Sequence, residues 1–166
     1  IWISPQITGH YTLDSLSPNT DVLFGATGTG EAPHNRMIWH LLRSGHSGRL
    51  APVVSSRHWR DCAYLDAHQA LARLYSNYAY FPITTREVPG LRLYIQDFIL
   101  SGELEEQTRI QLDPERVHVY LCGNPAMIGI PKVYGDRTVY PKTAGVIEVL
   151  HHEPCLRREH RAHRAV

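Results

Sequence analysis

The stretch Asp21-Val-Leu-Phe-Gly-Ala-Thr-Gly-Thr-Gly-Glu-Ala-Pro33 constrains this chain more than any other. Apolar Val22 to Phe24 leads into a small-residue loop, Gly25 to Gly30, after which Met37, Ile38, Leu41 and Leu42 recur at helical spacing. The pattern predicts a strand, a tight turn and a helix N-terminus in succession. Pro33, just inside the helix, fits a preorganised first turn. The first amides of such a helix lack intrahelical acceptors, and its dipole favours an anion over the loop. Gly28 and Gly30 let the backbone approach that anion, and Thr27 and Thr29 add hydroxyls. The spacing is neither G-x-G-x-x-G nor the G-K-[ST] of a triphosphate loop. It therefore reads as a tight turn alone or as a pyrophosphate site.

Strand and helix signals alternate along the rest of the chain. Strands are predicted over 49–56, 78–84 and 117–121, with a final one over 145–150. Helices are predicted over 32–44, ended by Gly45, over 61–75, capped by Asp61, and over 93–101, with a short turn at 103–106. A brief helix starts at Ala126, and 132–143 reads as loop. The expected class is α/β: a Rossmann-like open parallel sheet of about five strands with helices on both faces. Ligands bind such sheets at the carboxyl ends of the strands, near the point where strand order reverses. The segments 25–30, 84–96 and 122–127 all fall there.

A net charge of +1 makes no global case for nucleic-acid or membrane attraction, and no apolar run approaches the roughly 18 residues of a membrane span. Cys62, Cys122 and Cys155 lack paired or metal-type spacing, so reduced thiols in a cytoplasmic setting are expected. The start shows no secretory pattern; it opens on Ile-Trp-Ile without Met, which reads as a fragment or trimmed domain. The expected divisions are a connector over 1–20, a nucleotide-binding domain over 21–150 and a basic His/Arg-rich tail over 151–166.

Arg57 follows the second strand, Arg86 the third, and Arg92 lies a few residues beyond. Convergent guanidinium forks suit a dianionic phosphate, whereas an NAD reader places an acid on the ribose 2′-hydroxyl. Cations in these loops therefore argue for NADP. The competing reading is solvated arginines paired with Glu87 and Asp97. Tyr94 offers an adenine-stacking face and Gln96 an amide for its edge. Cys122-Gly-Asn-Pro125 ends the fourth strand; the cysteine reads as a small buried residue or a reactive one, with no base nearby to make a nucleophile of it. His34 and His40 default to the helix surface, with His34 near enough to the loop to touch a ligand. His151, His152, His160 and His163 lack the carboxylate or thiolate company of a metal site.

In this order the motifs resemble the NADP-binding half of ferredoxin–NADP reductases: Ala26-Thr-Gly-Thr-Gly-Glu-Ala-Pro33, Arg57 with Asp61-Cys-Ala-Tyr-Leu65, Thr85-Arg-Glu87, Tyr94-Ile-Gln96, Ser101-Gly-Glu-Leu-Glu105 and Leu121-Cys-Gly-Asn-Pro-Ala-Met-Ile128. The resemblance implies that Thr27 to Gly30 cradle the pyrophosphate. It implies that Thr85 and Arg86, helped by Arg57 or Arg92, hold the 2′-phosphate, and that Tyr94 and Gln96 meet the adenosine. Cys122 and Gly123, with Asn124 and Pro125 after them, then flank the nicotinamide as hydride passes to a flavin. Glu148 loosely resembles an acidic residue kept nearby. Two family features have no match: an N-terminal FAD-binding barrel with its Arg-x-Tyr-Ser/Thr motif ahead of the nucleotide loop, and a terminal aromatic residue over the flavin. Residues 1–20 then read as a remnant of that barrel. The expected activity is that of an oxidoreductase exchanging electrons between ferredoxin or flavodoxin and NADP(H) through FAD, with this chain incomplete by itself. The alternatives are a stand-alone NADP-binding module and another flavin-dependent NAD(P)H reductase.

Overall fold

The structure is a computed structural model and describes residues 11–13, 16–88 and 93–152. Arg92, Cys155, His160, His163, residues 1–10, 14 and 15 of the expected barrel remnant over 1–20, and the tail beyond 152 lie outside the described residues. Five α-helices, six strands and a further helix follow in order: β1 Asp21–Thr27, α1 Glu31–Arg43, β2 Leu50–Ser56, α2 Leu65–Leu74, β3 Phe81–Thr84, α3 Ile95–Leu100, α4 Glu103–Thr108, β4 Val117–Cys122, α5 Pro125–Ile128, β5 Lys132–Tyr134, β6 Arg137–Val139 and α6 over 146–152. Single 3-10 turns, Gly28–Gly30 and Trp59–Asp61, precede α1 and α2.

The main sheet is parallel, in the order β3-β2-β1-β4. Central strands of such a sheet are covered on both faces, which is why β2 is buried throughout and β1 at all but its ends. Side chains alternate between the layers. Val22 and Phe24 meet Met37, Ile38, Leu41 and Leu42 of α1 on one face. Leu23, Ala51 and Val53 meet Phe98, Ile99, Leu104, Val146 and Val149 on the other. The expected α/β sheet with helices on both faces is present.

The strand count is lower than expected. The parallel sheet has four strands, and 145–150 is not a strand but the start of α6. Val146, Val149 and Leu150 are spaced as one face of a helix, and that face packs into the core. Gly145 is also pressed against Gly129, where an added Cβ would lie 2.3 Å from the Gly129 Cα. The segment 132–143, expected as loop, contains the antiparallel β5–β6 pair, whose residues are all exposed. Asp61 does not cap α2. Its Oδ2 accepts the His58 N–H at 3.1 Å, closing the 3-10 turn, and α2 starts at Leu65. The third strand starts at Phe81 because Tyr78 makes only a single bridge, to Leu50, and turns its side chain toward α2. Among the described residues no helix is long and apolar enough to cross a membrane.

Candidate functional site

The registers Thr27↔Ser55, Ser56↔Thr84 and Ala26↔Cys122 bring four strand ends to one edge of the sheet. The chain adds β2 and β3 on one side of β1, then returns to place β4 on the other. Order thus reverses between β1 and β4, and there a cleft of about 1090 Å³ opens.

Its floor is Thr27 to Gly30 with Cys122 to Asn124. The two segments are locked together: the Asn124 N–H donates to Thr27 Oγ1 at 2.7 Å. Glycine permits the approach. A Cβ on Gly30 would lie 2.2 Å from the Cys122 carbonyl oxygen, and one on Gly123 (φ +137°) would lie 2.2 Å from Thr27 Oγ1. Gly30 therefore serves loop-to-strand packing and not ligand approach; Gly28 is the glycine with open space above it. No side chain caps the 3-10 turn, so the amides of Gly28 to Gly30 keep their capacity to bind an anion, while the Glu31 N–H that follows is spent on the carbonyls of the turn and Pro33 has none. The half-buried Cys122 lines the floor as a free thiol.

One wall carries Ser56, Arg57, Thr85, Arg86, Tyr94 and Gln96. The β2–β3 ladder runs past the strand ends, with Thr85 N–H donating to the Ser56 carbonyl and Arg86 N–H to the Arg57 carbonyl, both at 3.0 Å. This puts the two arginines opposite each other on one rung, both exposed and both lining the cleft. The carboxylates of the competing reading, Glu87 and Asp97, are engaged elsewhere. Glu87 Oε1 accepts the Trp59 N–H at 2.6 Å, and Asp97 Oδ2 accepts the Tyr94 N–H at 2.9 Å at the start of α3. Among the described residues neither Arg57 nor Arg86 has an ion-pair partner. Tyr94 is exposed on this wall. Gln96 donates through Nε2 to the Ala144 carbonyl at 3.3 Å and keeps Oε1 buried without a partner among the described residues.

Other expected residues stand apart from the cleft. Pro33 is exposed at the third position of α1, and Pro125 is exposed at the start of α5 under an Asn124 cap. Glu148 lies on α6, away from the cleft lining, with Oε2 buried and unpartnered among the described residues. His34, expected at the surface, is fully buried and bonds through Nε2 to the Tyr11 hydroxyl at 2.6 Å. Ser55, Ser56, Asp61 and Thr143 line the cleft from outside the segments expected there. The serines carried a weak signal, small polar residues ending an apolar strand. Thr143 carried none, since it returns to the cleft only because the β5–β6 excursion closes on itself. Among the described residues no cluster of His, Cys, Asp or Glu is arranged for a metal.

A parallel sheet with a glycine-rich strand-to-helix turn at its reversal point is the architecture of a nucleotide-binding domain of the doubly wound class. The chain belongs to the oxidoreductase NAD-binding domain family, whose pattern matches residues 24–132. Ferredoxin–NADP reductase B of Sorangium cellulosum (strain So ce56) is 32% identical over 125 residues, covering 74% of this chain and 50% of its own. The flavodoxin/ferredoxin–NADP reductase of Escherichia coli (strain K12) is 29% identical over 132 residues, covering 77% and 53%. The fold is similar to that of a ferredoxin NADP+ reductase from Neisseria gonorrhoeae solved with bound FAD and NADP, at 22% identity and a TM-score of 0.62, over 73% of this chain and 50% of that one. The chain spans about half the length of the curated relatives it matches.

Proposed function

We propose that this chain is the NADP-binding half, over 21–150, of a ferredoxin–NADP reductase, a cytoplasmic oxidoreductase that exchanges electrons between ferredoxin or flavodoxin and NADP(H) through FAD. One observation carries the choice of NADP: Arg57 and Arg86 face each other across one rung of the cleft wall while the neighbouring carboxylates bind backbone amides instead. Two guanidinium forks side by side match a 2′-phosphate dianion. The names of the similar reductases support the partner and the reaction.

In this reading the amides of Gly28 to Gly30 hold the pyrophosphate, with the Thr29 hydroxyl beside them. Thr85, Arg86 and Arg57 take the 2′-phosphate, joined by Arg92, and Tyr94 and Gln96 meet the adenosine. Cys122, Gly123 and Asn124 form the nicotinamide end, where Cys122 shapes and orients the ring and attacks nothing. Glu148 and Pro125 belong to the same end as supports behind it. The nicotinamide and a flavin supply the hydride chemistry when bound, and the residues of this chain bind and orient. No described residue is assigned to FAD, which is held by another part of the enzyme.

Calorimetric titration with 2′-phospho-AMP and AMP tests the assignment. Arg86→Ala is expected to weaken 2′-phospho-AMP by about ten- to a hundredfold, the range of a charge-assisted contact, and to leave AMP nearly unchanged. Equal loss for both nucleotides would remove Arg86 from the phosphate site.

A further inference from the structure

The loops bearing the two arginines are joined by a ladder that ends abruptly. Thr85 and Ser56 form one rung, Arg86 and Arg57 the next, each through a backbone N–H to a carbonyl. Beyond them, among the described residues, no backbone bond joins the loops. The following link is made by a side chain: Glu87 Oε1 accepts the Trp59 N–H at 2.6 Å, across 28 residues of sequence. The same oxygen lies 3.6 Å from His58 Nδ1, a second partner when the imidazole is protonated. A carboxylate accepting a backbone amide at this length is a charge-assisted bond, stronger than the neutral rungs it continues. Glu87 follows Arg86, and Trp59 stands two residues after Arg57, so the link closes directly over the pair.

We infer that Glu87 is a positioning residue: its carboxylate ties the loop after β3 to the loop after β2 and so holds Arg57 and Arg86 at the spacing that selects a 2′-phosphate. The inference rests on the NADP reading above. Glu87 is next to the arginines yet does not neutralise them. It directs its charge away from the cleft, onto Trp59 and His58. Untied, the loops separate beyond the last rung, and the two forks lose a common focus. A ligand without a 2′-phosphate does not register that loss, since its pyrophosphate and adenine contacts lie on other segments.

Two conservative variants of the full chain separate reach from charge. Glu87→Gln keeps an acceptor at the same reach without the charge, and Glu87→Asp keeps the charge one methylene short of the Trp59 amide. Both are titrated calorimetrically with 2′-phospho-AMP and with AMP. Glu87→Gln is expected to hold the preference for 2′-phospho-AMP within about threefold of the unmodified chain, and Glu87→Asp to lower it about tenfold with AMP binding unchanged. Hydrogen exchange at the Trp59 amide, read without ligand, is expected to speed up in Glu87→Asp and not in Glu87→Gln. A preference that survives or rises in Glu87→Asp, an equal loss in both variants, or unchanged exchange at Trp59 in Glu87→Asp would each overturn the inference while leaving the cleft assignment intact. An unmodified chain that binds both nucleotides equally overturns the NADP reading, and this inference with it.

Discussion

His34 occupies the fourth position of α1, stacked on Tyr11 at 5.8 Å and tilted against Phe24 at 5.2 Å. Burial outweighs the neighbouring Glu31 carboxylate and pushes its imidazole down from 6.5 to about 4. The unfolded chain therefore takes up a proton near pH 6.5, whereas the folded one does not until about pH 4. Between those values the unfolded state binds more protons, so stability falls as pH falls and levels off below the lower value. The loss attributable to this ring is roughly 3 kcal/mol over the window. Denaturant midpoints from pH 7 to 4 should show it, and His34→Gln should have a shallower acid slope. Parallel slopes for the two proteins would mean that other groups dominate. The histidine was readable as helical and near the loop, but not as buried. Its spacing alone did not say that Tyr11 would cover it.

At the scale of elements, α1, α2 and the segment entering β3 are joined by a buried polar network. Glu31 Oε1 accepts from the Tyr80 hydroxyl at 2.9 Å and meets His68 Nε2 at 2.9 Å, while His68 Nδ1 pairs with the Tyr78 hydroxyl at 2.5 Å. Tyr80 also stacks on His68 at 4.2 Å. Burial, reinforced by the Glu31 carboxylate, raises both phenols well above their ordinary range, so they stay protonated as donors. An acid at a helix start reads as a complement to the dipole, yet Glu31 is only 3% exposed and faces inward. Glu31→Ala strands the Tyr80 hydroxyl and the His68 ring without their shared partner, and is expected to cost about 2–4 kcal/mol in equilibrium denaturation. Tyr80→Phe, which leaves the Glu31–His68 contact in place, should cost less. A Glu31→Ala protein as stable as its parent would show that the network holds nothing together.

For the whole molecule, the decisive feature is the reversal between β1 and β4, which assembles one cleft from segments about 100 residues apart. The β5–β6 hairpin lies outside that assembly. It projects from a neck where Gly129 and Gly145 touch, and an added Cβ on Gly129 would sit 2.5 Å from the Gly145 Cα. A two-stranded ribbon contributes little stability of its own. Replacing 132–139 by a short Gly-Ser linker, which keeps Thr143 and Ala144 in place, is therefore expected to change the unfolding free energy by about 1 kcal/mol or less, within the usual effect of an exposed loop. The preference for 2′-phospho-AMP over AMP should persist, because the arginine wall lies across the cleft. Collapse of the fold on this replacement would make the hairpin part of the core.

The sequence by itself determined the alternation of strands and helices, the small-residue turn after β1 and the cleft at the strand ends. Those follow from side-chain period and turn chemistry, which are local. It also placed Arg57, Arg86 and Cys122 at strand ends, because the order of elements in a parallel sheet leaves few arrangements. Only the tertiary structure decided that 145–150 is a helix. Val146, Val149 and Leu150 suit either element in so short a run, and the core they pack against settles which. The carboxylates of Glu31, Asp61, Glu87 and Asp97 likewise acquired their partners only on folding. A charged side chain bonds whatever donor lies within about 3 Å, and for Glu31 and Glu87 that donor comes from far along the chain. The arginine wall depends on this choice: Arg57 and Arg86 stay unpaired among the described residues while Glu87 and Asp97 accept backbone amides.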